Sequence, residues 1–181
     1  MPHRVLSVRE IQASDIPLLT TYWTGADDAF LESMGVDLSK MPVAESWMEM
    51  LSKQLSQAYH EKQSYAIIWL VDGEPVGHCN INKIIFGEEA YMHLHLWNSD
   101  KRQKGIGAAL VKMSLPYFFG NCRLKMLYCE PYALNDAPNK TLQKLGFTFV
   151  KKYVTTPGLL SFEQPVKRWE LRYEQYKQLH K

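Results

Sequence analysis

The sequence predicts a mixed α/β (α+β) fold, a sheet whose front half is an antiparallel meander and whose back half is crossed by helices. Three observations predict it. From 64 to 97 three strand-like runs are separated only by tight turn signals, the pattern of hairpin-connected strands. At 106–119 and 135–145 the apolar spacing becomes helical. A strand-like run follows each of those helical stretches, which joins helix crossovers to the meander. With 181 residues, no internal repeat and no low-complexity linker, residues 1–181 are expected to form a single domain.

Taken in order, Val5 to Ile11 reads as a first strand. Ser14-Asp15 supplies a helix N-cap and a first-turn acid, with Pro17 tolerated in the first turn. Residues 24 to 42, with Gly25, Gly35 and Pro42, read as an irregular connection holding a short helical piece. From Val43 to Glu61, Trp47, Met48, Leu51, Leu55 and Tyr59 recur at helical spacing. Ser64 to Val71 is a strand, Asp72-Gly73 a hairpin turn and Pro75 to Ile85 the returning strand. Gly87-Glu88-Glu89 turns the chain into a third strand, Ala90 to Trp97. A helix follows from about Ile106 to Phe119, with Pro116 expected to kink or end it. Arg123 to Glu130 is a strand, and Asn135 to Leu145 a helix stopped by Gly146. Phe147 to Val154 and Phe162 to Leu171 are two last strands around Thr156-Pro157-Gly158, before a short polar tail helix. The order is β-α-α-β-β-β-α-β-α-β-β.

Composition narrows the function. A formal net charge of +2 is too small to indicate bulk nucleic-acid binding. Apolar runs such as Tyr65 to Val71 fall far short of a membrane span, and the first residues lack the apolar core of a signal peptide. Cys79, Cys122 and Cys129 form no C-x-x-C pattern, which points to reduced thiols and a cytoplasmic protein.

The stretch NSDKRQKGIGAALVKM, residues 98 to 113, sets a basic collar and a G-x-G directly before a helix, an arrangement suited to an anion. A phosphate-binding G-x-x-x-x-G-K-[ST] string is absent. A dinucleotide fingerprint finds Gly105, Gly107 and, after the next strand, Glu130. It lacks its third glycine, where Leu110 stands, and the charged collar Asn98 to Lys104 replaces a tight turn. An ordinary basic loop before a surface helix is the simplest alternative.

Arg102-Gln103-Lys104-Gly105-Ile106-Gly107 resembles the [RQ]-x-x-G-x-[GA] loop of the GCN5-related N-acetyltransferase (GNAT) superfamily. The likeness continues through Asn135-Asp136-Ala137-Pro138-Asn139-Lys140-Thr141-Leu142-Gln143-Lys144-Leu145-Gly146-Phe147, similar to that superfamily's N-x-x-[SA]-x-x-x-[LY]-x-K-x-G-F segment. It covers roughly residues 4 to 172. The resemblance implies a mostly antiparallel central sheet with helices on both faces and acetyl-coenzyme A (acetyl-CoA) as co-substrate. Arg102, Gln103, Lys104, Gly105, Ile106, Gly107 and Ala108 would then hold the pyrophosphate. The strand before the loop would splay from the next parallel strand, with the pantetheine arm bonded to the backbone near Leu96 and Trp97 and touched by Asn135 from the other side. The acceptor would be a primary amine of a small molecule or a peptide, and the protein a monomer or a homodimer.

Such a reaction needs a base for the amine. Tyr91, His93, His95 and Trp97 alternate with Met92, Leu94 and Leu96, so one strand face is aromatic and basic. His93 falls where some family members keep a histidine, a residue that titrates near neutrality. Glu130, closing the neighbouring strand, is the second candidate, as base or as counter-ion to the amine. Set against these roles, His93 and His95 also read as half-buried sheet residues and Glu130 as an exposed strand-end carboxylate. His93, His95 and Cys79 lack a fourth spaced ligand, so no metal is expected. Leu142 and Pro138 stand where many relatives keep a tyrosine or serine donor to the departing thiolate, and Tyr128 and Tyr132 lie nearby. The missing donor keeps a non-catalytic acyl-CoA sensor in view, and Gly105, Gly107 and Glu130 a nucleotide-binding oxidoreductase. The acceptor would be set by the 24–42 segment and the loop between the last two strands.

Overall fold

The computed structural model describes residues 4–97 and 105–179. Their seven strands form one sheet, in the order β1-β2-β3-β4-β5-β7-β6. The strands are β1 (Leu6–Glu10), β2 (Ser64–Val71), β3 (Glu74–Ile85), β4 (Glu89–Leu96), β5 (Met126–Cys129), β6 (Thr148–Thr155) and β7 (Gln164–Arg172). The helices are α1 (Ile16–Thr24), α2 (Asp28–Ser33), α3 (Ala44–Ser56), α4 (Ile106–Asn121), α5 (Asp136–Lys144) and α6 (Tyr173–Leu179). Every strand pair is antiparallel except β4 with β5.

β2 sits inside the sheet and is buried on both faces, which is why it reads as an unbroken apolar run. Asp72 and Gly73 both take positive φ, 54° and 84°, as a two-residue hairpin turn matched to strand twist requires. On one face, Leu110, Val111, Leu115 and Phe118 of α4 and Leu142 of α5 pack on Ile67, Ile81, Met92 and Leu127. On the other, Ile16 and Leu19 of α1 and Leu51 of α3 cover Ile68.

Three local expectations change. The first helix is preceded by a short 3₁₀ turn, Ala13–Asp15, and Asp15 rather than Ser14 occupies the N-cap position of α1. Asp15 is buried because both its oxygens accept from the Arg9 guanidinium, at 2.5 and 2.9 Å. α3 stops at Ser56 instead of reaching Glu61. There the Gln54 carboxamide oxygen accepts from the backbone N–H groups of Gln63 and Ser64, both at 3.0 Å, and turns the chain into β2. α4 runs through Pro116 to Asn121 without ending. Proline removes one helical N–H, but Leu115, Phe118 and Phe119 on either side of it are anchored in the core.

Candidate active site

β4 and β5 pair over three residues only, Glu89 with Met126, Ala90 with Leu127 and Tyr91 with Tyr128. β4 then runs on to Leu96 while β5 ends at Cys129, so the strands part. The Cys129 thiol donates to the Met92 carbonyl at 3.0 Å and closes the base of the gap. Register decides which amides face it. Trp97 N–H donates to Val76 O at 2.9 Å, across β3. In an antiparallel ladder successive residues alternate direction, so His95 and His93 also turn their backbone to β3, and Met92, Leu94 and Leu96 turn theirs to the β5 side. The Leu96 backbone therefore faces the gap. Trp97 directs its N–H away from the gap, and Leu94, which the residue pattern did not single out, takes its place.

Ile106 and Ala108, in the first turn of α4, belong to the same core cluster as Met92 of β4 and Cys129 of β5. Gly105 is the N-cap of α4 with φ of 92°, a left-handed conformation that costs glycine nothing. The amides of Ile106, Gly107 and Ala108 belong to the first turn, where an α-helix leaves its N–H groups without internal partners. The Ile106 and Ala108 side chains are buried in the core, so only their backbone is available to a ligand. A Cβ on Gly107 would meet no protein atom within 4 Å, so packing does not demand a glycine there. A Cβ on Gly105 would lie 3.8 Å from the Lys144 ammonium. Lys144, the lysine of the K-L-G-F segment, thus brings a cation to the same helix end, a placement sequence order alone does not reveal. Arg102, Gln103 and Lys104 lie outside the described residues. The donor set fits a diphosphate: free helix amides, a permissive glycine and an ammonium. Asn135 holds the N-cap position of α5 with no side-chain capping bond, which leaves its amide group available.

The aromatic and basic face of β4 is tied together by hydrogen bonds. His93 Nε2 lies 3.1 Å from Asn82 Oδ1 on β3, so Nε2 carries the hydrogen and Nδ1 the lone pair. Burial, with a contribution from the Lys83 ammonium, pushes His93 down to about 4, away from the titration near pH 7 that a histidine suggests. His78, on β3, accepts from the Trp97 indole N–H at 2.7 Å and is lowered to about 3 by burial and then by His93. His95 stacks on His78 at 4.7 Å, meets the Tyr22 hydroxyl at 3.2 Å, and is also held well below its ordinary value by burial. All three imidazoles are neutral at pH 7.

These shifts carry a stability prediction. A buried histidine with a depressed value contributes its full stability above the unfolded value, about 6.5, and loses it as pH falls toward the folded value. For His93 alone the loss between pH 6.5 and 4 is on the order of 3 kcal/mol. Urea unfolding is expected to show a steep fall in stability from pH 7 to pH 5, and a His78→Gln variant a shallower one. Equal stability at the two pH values would contradict the neutral assignment.

Glu130 is not an exposed strand-end carboxylate. Its side chain is 5% exposed, its Oε1 accepts from Arg168 on β7 at 3.1 Å, and the Tyr153 hydroxyl of β6 donates to the same oxygen. The Arg168 guanidinium lies 4.0 Å from the Tyr128 ring centre and 5.6 Å from that of Tyr91. Arg168 is 38 residues from Glu130 in sequence and meets it through the β5–β7 pairing. Leu142 of α5 is fully buried in the core, so a tyrosine there would overpack the core. Among the described residues, no group of three His, Cys, Asp or Glu side chains is placed to hold a metal ion. No helix among them is long and apolar enough to cross a membrane.

Comparison with known proteins agrees with this geometry. No curated protein matches the chain in sequence. Among solved structures, a spermidine N-acetyltransferase from Vibrio cholerae in complex with CoA and spermine superimposes with a TM-score of 0.76 at 16% identity, over 95% of this chain and 98% of the other. A ribosomal L7/L12 alpha-N-protein acetyltransferase in complex with coenzyme A gives 0.76 at 14% identity, over 94% and 95%. An aminoglycoside acetyltransferase with coenzyme A gives 0.73 at 15% identity, over 98% and 100%. At such identities these likenesses establish the fold. Residues 6–148 match the family described as acetyltransferase (GNAT) domain. An acyltransferase fold that parts β4 from β5 beside a glycine-capped helix, matched across most of its length by that family, belongs to it: the chain is a member of the GNAT acetyltransferases, with acetyl-CoA as co-substrate.

Proposed function

We propose that the protein is an N-acetyltransferase that moves the acetyl group of acetyl-CoA onto a primary amine, of a small molecule or a protein N-terminus, by direct attack in a ternary complex. The observation that carries this reading is the parting of β4 from β5 next to the Gly105 end of α4. Two of the structural neighbours are named as acetyltransferases of nitrogen, on spermidine and at a ribosomal protein's alpha-N position, and the third as an aminoglycoside acetyltransferase.

The chain's own groups divide the work. The first-turn amides of Ile106, Gly107 and Ala108, with Lys144 and the collar Arg102, Gln103 and Lys104, bind the diphosphate. The gap-facing amides of Leu94 and Leu96, with Asn135 opposite, hold the pantetheine arm. His93 Nδ1 accepts the amine proton, directly or through water, while Asn82 fixes the ring's tautomer. In the transfer the amine nitrogen forms a bond to the acetyl carbon, the carbon–sulfur bond breaks, and the thiolate takes a proton from water. Because His93 titrates at about 4, it passes its proton to solvent rather than keeping it. Glu130 anchors Arg168 beside the gap, a positioning role. The buried, reduced thiols suit a cytoplasmic protein.

The state of the thiols favours direct attack as well. An acetyl-enzyme formed on cysteine would need a nucleophilic thiolate. Cys79, Cys122 and Cys129 are all buried, and burial raises each, Cys122 to about 11. Initial velocities measured against both substrates are therefore expected to give intersecting double-reciprocal lines. Parallel lines, the mark of a covalent intermediate, would overturn direct transfer.

A further inference from the structure

A cavity of about 420 Å³ opens beyond the end of β4, lined by Thr21, Tyr22, Gly25, Ala26, Asp27, Phe30 and Trp97. Three of its walls are aromatic rings. Tyr22 stands edge-on to Phe30, with centres 6.4 Å apart, and 6.5 Å from Trp97. Two of the rings are fixed by polar groups behind them: the Trp97 indole N–H donates to His78, and the Tyr22 hydroxyl meets His95. The fourth wall carries a carboxylate. Asp27 caps α2 by accepting from Phe30 N–H at 3.2 Å through Oδ1.

The segment that supplies six of the seven lining residues carries charge of one sign. Between Arg9 and Lys40 there is no lysine or arginine, and six carboxylates. Asp15 and Asp37 are paired with those two flanking cations, and Glu10 accepts from Tyr59, Tyr65 and Asn121. Asp27, Asp28 and Glu32 have no cationic partner among the described residues, and Asp27 is the one that lines the cavity. Aromatic faces set around one carboxylate form a cation site, since ring faces carry negative charge and attract ammonium groups.

We propose that this cavity takes a second cationic group of the acceptor, so that the preferred acceptor is a small aliphatic amine carrying a positive charge at its far end. The inference rests on acetyl transfer at the β4–β5 gap, and it specifies which amines that gap receives. His95 and His93 stand two and four residues before Trp97 on an extended strand, about 7 and 13 Å from it, distances that bracket the reach of a short diamine. A six-carbon diamine spans about 9 Å between its nitrogens. An acceptor whose far end is a bare methyl group fills the same volume but leaves Asp27 without a partner.

The test is calorimetric binding of hexamethylenediamine and of hexylamine to the full chain saturated with coenzyme A, followed by thiol release from acetyl-CoA with each amine. The diamine is expected to bind about tenfold more tightly than the monoamine, the combined effect of one partly exposed ion pair and the ring contacts. Asp27→Asn keeps a competent N-cap, so the fold is retained, and it is expected to remove most of that difference while leaving hexylamine unchanged. Phe30→Leu keeps apolar bulk and is expected to weaken the diamine more than the monoamine. Equal affinities, tighter binding of hexylamine, binding of neither, or an Asp27→Asn variant that discriminates as well as the parent would each overturn the proposal. Selective binding of the diamine without thiol release would leave the cation site standing and count instead against acetyl transfer.

Discussion

Gly105→Glu is expected to raise the dissociation constant for coenzyme A by about 10²-fold or more while leaving a folded protein. Two physical effects act together. Gly105 holds φ of 92° at the N-cap of α4, and a residue with a Cβ in that region costs about 1–2 kcal/mol. The larger effect is electrostatic. A carboxylate at the helix end stands where the first-turn amides attract an anion, and two like charges near 4 Å at a partly exposed site repel by about 4 kcal/mol. Stability should fall by no more than that backbone cost of about 1–2 kcal/mol, because a Cβ at Gly105 meets only the Lys144 ammonium, at 3.8 Å. Gly105→Asn is the control. Asparagine tolerates the left-handed region and adds no charge, so it should keep most of the affinity. A Gly105→Glu protein that binds coenzyme A as the parent does would remove the α4 terminus from the site.

His93→Ala is expected to lower kcat/KM by about 10²-fold at pH 7, with the affinity for acetyl-CoA nearly unchanged. The loss should fall on kcat rather than on KM for the co-substrate, because His93 projects from the sheet face while gap-facing amides belong to Leu94 and Leu96. The pH profile separates a base from a packing residue. His93 is depressed to about 4, so its lone pair is available throughout the neutral range. The parent's rate should therefore rise with pH as the acceptor amine deprotonates, with no inflection near 6.5. An inflection there that His93→Ala abolishes would show an imidazole of ordinary basicity. Equal losses of activity and stability, with an unchanged profile, would reduce His93 to a sheet residue bonded to Asn82.

Much of the fold was legible because its strongest signals are local. β2 has the bounds its apolar run suggested, and Asp72-Gly73 adopts the positive φ pair that its residue types favour. Gly105 and the K-L-G-F segment were legible for the same reason: a glycine at a helix start and a glycine after a helix end have their own backbone logic. Features made by pairing were not. The direction of the Trp97 N–H depends on its register with Val76, a parity no single strand carries. Arg168 reaches Glu130 only because β7 inserts between β5 and β6 in the sheet order. His93 looked like a neutral-range titrating group because its depression comes from burial, which arises only once the chain is folded. Helix ends set by side chains distant in sequence, such as the turn held by Gln54, escaped periodicity as well.

The central claim is that the gap between β4 and β5 delivers an acetyl group to an amine. Its most direct measurement is thiol release from acetyl-CoA as hexamethylenediamine is added, with the amine product weighed by mass spectrometry, for the parent and for Gly105→Glu. Amine-dependent thiol release is expected, with one added acetyl group on the diamine for each thiol freed, and loss of both in the variant. Coenzyme A binding without any thiol release across primary amines would contradict the claim and mark the chain as an acyl-CoA sensor.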